Sequence, residues 1–168
     1  MMGAGKSAVG TALSRLLCVP FVDSDEEIER AASMSVAEIF KRDGEVFFRA
    51  RESEVLSRLL SGPPCILSTG GGAFLAEGNR AAIAARGVAV WLKADLELLW
   101  NRVRHKTTRP LLRTPDPKGT LAALLEARAP VYAEAAITVQ ARPDYSIEQM
   151  AGKVIEALQA HGDILGKS

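Results

Sequence analysis

Apolar side chains along this chain recur with two periods, and their alternation predicts the fold. Over residues 6–17, Val9, Leu13, Leu16 and Leu17 fall on one helical stripe, and Pro20 stops the helix. Phe21 and Val22 form a very short buried strand that ends in Asp23-Ser24-Asp25. Short helices are expected over 26–32 and 36–42, and a longer one over 45–60. Cys65-Ile66-Leu67-Ser68 is a second short strand, which runs straight into Thr69-Gly70-Gly71-Gly72. A helix over 78–86 leads to a strand over 88–92, and Asp95 caps a helix with the stripe Leu96, Leu99, Trp100, Val103. Leu121, Leu124, Leu125 and Arg128 share another helical stripe, 136–139 is the last strand, and Ile147, Met150, Ala151, Val154, Ile155 and Leu158 make an amphipathic closing helix. Strands alternating with helices imply an α/β protein, a parallel sheet with helices on both faces.

Composition adds limits rather than direction. At 168 residues the chain is long enough for one domain with a sizeable core, and 48% hydrophobic with 24% charged residues is ordinary for a globular protein. A net charge of +1 gives no general case for binding nucleic acid or membranes. Cys18 and Cys65 are too few for a disulfide framework, and their apolar sequence neighbours suit reduced thiols. No signal peptide or span-length apolar run is visible, so a soluble, cytoplasmic chain is expected, and a monomer is the default because nothing in the sequence suggests an extended interface.

Four stretches carry more than fold. Gly3-Ala4-Gly5-Lys6-Ser7 is the second half of a phosphate-binding loop, G-x-x-x-x-G-K-S/T. In such a loop glycines let backbone N–H groups surround phosphate, the lysine reaches the β- and γ-phosphates, and the hydroxyl ligates Mg²⁺. The loop's first glycine would precede Met1, and no strand leads into it. Glu45, Phe48, Arg49 and Glu52 fall at i, i+3, i+4, i+7 on one face of the 45–60 helix, with Val46, Ala50, Val55, Leu56, Leu59 and Leu60 on its core side. That face reads either as solvated ion pairs or as a pocket wall in which an aromatic backs a fixed arginine. The triple glycine reads either as a flexible turn or as backbone that must approach something closely. Residues 102–118, rich in Arg, Lys, Thr and Pro, read as a solvated basic loop, a lid over phosphates or, less readily for want of aromatics, a nucleic-acid contact. Arg128 on an apolar stripe needs a partner and so is a candidate to face a ligand.

Taken in order, these pieces resemble shikimate kinase over essentially the whole chain. The resemblance rests on the GAGKS loop, Asp23-Ser24-Asp25, the helix from Gly44-Glu45 through Phe48-Arg49 to Glu52, Gly70-Gly71-Gly72, Arg109-Pro110-Leu111-Leu112 and Arg128-Ala129-Pro130-Val131-Tyr132. It implies a P-loop kinase of the nucleoside-monophosphate-kinase type: a parallel sheet of order 2-3-1-4-5, a substrate-binding segment at about 25–60, and a lid at about 104–118. Here the first, central strand is missing from the chain as written. The implied reaction is ATP- and Mg²⁺-dependent phosphorylation of the 3-hydroxyl of shikimate, on the route to chorismate and the aromatic amino acids.

The resemblance also implies residue roles. Gly3, Ala4, Gly5, Lys6, Ser7 and Ala8 would cradle the phosphates, with Lys6 on the transferring group and Ser7 on Mg²⁺. Asp23 would reach the metal through water. Asp25 would bind the shikimate hydroxyls and take the reacting proton. Arg49, held by Glu52, and Arg128 would fork onto the shikimate carboxylate, while Gly70, Gly71 and Gly72 would border the substrate. Arg102 would stack near adenine, and Arg109, a catalytic residue from the lid, would stabilise charge on the transferring phosphoryl group. A contact to adenine from the loop after the last strand is also implied, with Arg142 the candidate. Two other readings stay open at this point: a gluconate or nucleotide kinase of the same fold, and a nucleotide-binding protein without turnover. The absent strand leads to one more expectation, that the working protein carries a further stretch ending in a glycine ahead of Met1.

Overall fold

The structure, a computed structural model, describes residues 1–105 and 110–162. The chain divides into two compact units, Gly10–Val88 and Met1–Val9 with Ala89–Ser168.

In the Gly10–Val88 unit, helix α1 (Lys6–Leu17) enters from the other unit and packs on strand β1 (Phe21–Asp23). The approach is close because Gly10 has no side chain: a Cβ there would come within 2.5 Å of the Phe21 ring. Cys18, exposed and in the left-handed conformation at φ 53, ends α1 ahead of Pro20. Leu16, assigned to the buried stripe from the sequence, is 58% exposed, so the inward face is carried by Val9 and Leu13. Strand β1 pairs in parallel with β2 (Ile66–Ser68), with Phe21 opposite Ile66 and Asp23 opposite Ser68. A parallel pair needs a long crossover. It is supplied by α2 (Ser24–Ala32) and α3 (Val36–Leu60), followed after β2 by a 3₁₀ turn (Ala73–Leu75) and α4 (Glu77–Arg86).

Asp23 caps α2 by accepting from the Asp25 N–H at 2.9 Å, and a Ser35/Glu38 capping box starts α3. Gly44, at φ 81 and ψ 174, interrupts α3, so the expected helices over 36–42 and 45–60 both exist but join end to end. Ile28, Ile39 and Phe48 form the core between α2 and α3, with Met34, Val36, Phe40 and Val55 packed against them. The sequence reading placed Val46 and Ala50 on the core side of α3, and this is wrong: both are exposed, Val46 at 87%. The inward face is the one with Phe48, Glu52 and Leu56, because the charged stripe and the apolar group further along are one continuous face.

The second unit repeats the plan. Strands β3 (Val90–Lys93) and β4 (Ile137–Gln140) pair in parallel, Val90 opposite Ile137 and Lys93 opposite Gln140. The crossover is α5 (Leu96–Val103), a 3₁₀ turn (Pro110–Leu112) and α6 (Pro117–Tyr132). Helix α7 (Ile147–His161), opened by a Ser146/Gln149 capping box, packs on β4 and buries Met150, Ala151, Val154 and Leu158. Leu99, Val103 and Leu121 are fully buried. The irregular stretch is shorter than expected. Arg102 lies on α5, and Asp116 accepts from the Gly119 N–H while Pro117 stands at the first helical position, a start signal hidden in a basic, Pro-rich run. Arg109 and Lys106 lie outside the described residues.

Two parallel strand pairs, β1–β2 and β3–β4, are present among the described residues. No described helix is long and apolar enough to cross a membrane.

Candidate active site

In the unit that holds the chain start, the loop ahead of α1 has a backbone only glycine adopts readily. Gly3 stands at φ 76 and Gly5 at φ 86. Gly3 also seats on α5: a Cβ there would lie 2.8 Å from Val103 Cγ1 and 3.2 Å from the Leu99 carbonyl oxygen. Arg102 ties the same loop down, its Nη1 donating to the carbonyls of Gly3 at 3.2 Å and Ala4 at 3.4 Å. Lys6 Nζ donates to the Met1 carbonyl at 3.3 Å. Helix α1 begins at Lys6 with no acidic residue in its first turn, so its positive end is not neutralised from within. A cavity of about 480 Å³ opens there, lined by residues 2–9, Arg102, Ala141, Arg142, Tyr145, Ser146, Ile147 and Met150. The Arg142 guanidinium lies 5.8 Å over the Tyr145 ring.

Two cations bear on the Met1 amino group. Burial pushes the Met1 amino group down to about 5, and the charges of Lys6 and then Arg128 push it the same way. Arg128, half-buried on α6, therefore acts electrostatically on the loop region. Left-handed glycines, a lysine and a bare helix N-terminus fit a polyphosphate. A Mg²⁺ riding on phosphate oxygens needs only one or two protein oxygens, and the exposed Ser7 side chain can supply one. No three His, Cys, Asp or Glu residues gather as a metal cage among the described residues.

In the Gly10–Val88 unit a second constellation forms around Arg49. Glu52, only 1% exposed, accepts from Arg49 Nη1 at 2.7 Å. Burial raises the Glu52 pKa; the Arg49 charge opposes this, and the Asp25 and Glu45 carboxylates add to the rise. Glu52 Oε1 is buried without a hydrogen-bond partner, a polar atom in need of one. The Arg49 guanidinium stands 5.2 Å from the Phe48 ring centroid and 5.9 Å from that of Phe40, and those rings lie 4.5 Å apart. Asp25, in the first turn of α2, carries the second carboxylate.

The triple glycine explains how these groups come so close. Gly70, Gly71 and Gly72 are not among the glycines with positive φ. They are there for lack of a side chain. A Cβ on Gly70 would sit 2.8 Å from Asp25 Oδ1 and 3.1 Å from Glu52 Oε1, and one on Gly72 would sit 2.4 Å from both Arg49 Nη atoms. The Gly70 N–H donates to the buried Ser24 hydroxyl at 3.4 Å, while Asn79 Nδ2 and Arg80 Nη1 hold the carbonyls of Ala73, Phe74 and Leu75 just beyond. Gly72→Ala should therefore push the Arg49 guanidinium off the turn and, if Arg49 holds a substrate's carboxylate, raise the KM for that substrate about tenfold or more, the loss of one charge-assisted hydrogen bond. An unchanged KM in steady-state kinetics would separate Gly72 from Arg49.

The residues named from the sequence fall into two groups. Gly3, Ala4, Gly5, Lys6, Ser7, Ala8 and Arg102 line one cavity, with Arg142 beside them. Asp25, Arg49, Gly70 and Gly72 form the other cluster, with Glu52. Asp23 serves as the α2 cap, and Arg109 is outside the described residues. Sequence reasoning missed the roles of Ser24, Phe40 and Tyr145, whereas the exposed Glu45–Arg49 pair is one of the readings the helix face offered. Tyr145, three residues after Arg142 in the loop from β4 to α7, was the one with a usable signal.

A family model described as shikimate kinase matches residues 2–159. A shikimate kinase of Cereibacter sphaeroides is 67% identical over 165 residues, covering 98% of this chain and 82% of that protein. One from Ruegeria pomeroyi is 66% identical over 165 residues, covering 98% and 85%. Among solved structures, the shikimate kinase from Acinetobacter baumannii in complex with shikimate superposes with a TM-score of 0.89 at 39% identity, covering 95% of this chain and 89% of that one.

Proposed function

The chain belongs to the shikimate kinase family, and on that premise we propose that it transfers the γ-phosphate of ATP to the 3-hydroxyl of shikimate. It is a phosphotransferase of aromatic amino acid biosynthesis. The observation that carries the substrate assignment is the Arg49 cluster. A cation is held rigid by Glu52, two aromatic rings and Gly72, and a carboxylate, Asp25, stands against Gly70 on the same turn. The two glycine α-carbons are at most about 7 Å apart. A six-membered ring with a carboxylate at one end and hydroxyls at the other spans such a gap.

Each residue then has a task. Arg49 forks onto the substrate carboxylate, for which a planar guanidinium suits better than an ammonium. Gly71 offers its backbone N–H to the substrate. Asp25 accepts hydrogen bonds from the hydroxyls and takes the proton of the 3-hydroxyl as it attacks. Lys6 and the backbone of residues 3–8 neutralise the triphosphate and the transferring group, and the positive end of α1 adds to this. Ser7, and Asp23 through water, would hold Mg²⁺, which would supply charge neutralisation for the phosphates. Arg102 and the Arg142–Tyr145 pair provide flat faces for adenine. Arg109 would come from the lid at about 104–118. The chain acts as a cytoplasmic monomer with small-molecule partners only.

A coupled assay of ADP release tests this directly. Turnover should require shikimate; turnover with gluconate or a nucleoside monophosphate in its place, or none at all from folded protein, would sink the reading. Arg49→Lys should raise the KM for shikimate at least tenfold with a smaller change in kcat, since a lysine cannot fork. An unchanged KM would remove Arg49 from the carboxylate site.

A further inference from the structure

Arg49 is paired with two glutamates of opposite character. Glu52 is 1% exposed and holds Nη1 at 2.7 Å. Glu45 is 67% exposed, and its Oε1 lies 3.4 Å from both Nε and Nη2. Nε and Nη2 form a parallel pair of donors, the edge onto which a carboxylate forks, and it is an edge that Glu52 does not touch. The buried glutamate is fixed by its surroundings. The exposed one sits one helical turn before Arg49, makes a long, loose pair, and can swing into water.

We propose that Glu45 is a displaceable placeholder: its carboxylate occupies the Nε/Nη2 edge of Arg49 until the substrate carboxylate takes that edge and sends it into solvent. The proposal rests on the reading of Arg49 as the carboxylate clamp. The placeholder keeps the guanidinium turned towards the Gly72 face in the ligand-free protein, and it makes occupation of the clamp a competition between carboxylates. Neutral ligands gain nothing from displacing Glu45, so the contact also discriminates in favour of an anion.

Three measurements on the full chain test this. An exposed i, i+4 pair is worth enough to alter affinity about two-fold. Glu45→Gln should thus tighten shikimate binding about two-fold by calorimetry, and leave binding of its methyl ester unchanged. Glu54→Gln removes the same charge from the same helix, where Glu54 pairs with Arg51 at 2.8 Å, and should change neither. In the ligand-free protein, Glu45→Gln should also speed modification of Arg49 by phenylglyoxal, read by peptide mass spectrometry, whereas Glu54→Gln should not. Weaker or unchanged shikimate binding in Glu45→Gln, equal tightening of the ester, or an equal effect of Glu54→Gln would overturn the placeholder. If the unaltered protein fails to bind shikimate at all, the substrate reading falls, and the Arg49 modification rate still decides whether Glu45 holds that edge.

Discussion

Replacing Asp25 by Asn should lower kcat about 10²- to 10⁴-fold, the usual contribution of a positioned general base. The substitution keeps the shape of the side chain and its ability to bond hydroxyls, but removes its capacity to take a proton. Asp25 sits in the first turn of α2, where the helix end favours a negative charge, and its carboxylate presses on Gly70 beside the buried Glu52. An amide in the same place leaves that packing intact, so shikimate affinity should fall much less than kcat. Rapid-quench measurement of the first turnover at saturating substrates separates the two effects. A first-turnover rate within a factor of about three of the unaltered protein would show that the proton leaves by another route.

Lys6→Ala should cost about 10²- to 10³-fold in kcat, the scale set by loss of one preorganised donor to developing charge. The loop around Lys6 is held independently of it. Gly3 packs on α5, and Arg102 bonds the carbonyls of Gly3 and Ala4. The variant should therefore keep its fold and much of its affinity for adenine nucleotide while losing rate. Circular dichroism and nucleotide titration check the first part, and the steady-state rate the second. A fold lost together with the rate would mean that the Lys6 bond to Met1 is a structural tie first.

Much of the architecture was legible because periodicity reports directly on which side of an element is buried. The α5 and α7 stripes, with Leu99, Val103, Met150, Ala151, Val154 and Leu158 inside, follow from spacing, although Ile147, placed on the α7 stripe by the same spacing, is 47% exposed. The α3 face shows where this ends. Spacing put Glu45, Phe48, Arg49 and Glu52 on one side of the helix, yet it could not say that Glu52 is buried and Glu45 exposed. That depends on what covers each, and Glu52 is covered by the glycine turn and Asp25, which are distant in sequence. Val46 misled for the same reason, since an apolar residue reads as core until the opposite face is known to be covered. The part played by Ser24 was not legible because the hydrogen bond it accepts from Gly70 spans the crossover between two strands. The triple glycine was recognised as close backbone approach, but which side chains came close needed coordinates.

Gly44 carries a consequence of a different kind. Beyond its chain neighbours and the backbone of its own helix, no heavy atom lies within 4 Å of where its Cβ would be, and its φ of 81 with ψ 174 falls where L-residues are strained. What excludes a side chain from this position is handedness rather than space. The mirror-image residue, D-alanine, meets no such bar, because this backbone lies in its own extended basin. Chemical synthesis of the segment with D-alanine at 44 would restrict the unfolded chain without disturbing the folded one. The break in α3 would then become a source of added stability rather than a concession to geometry.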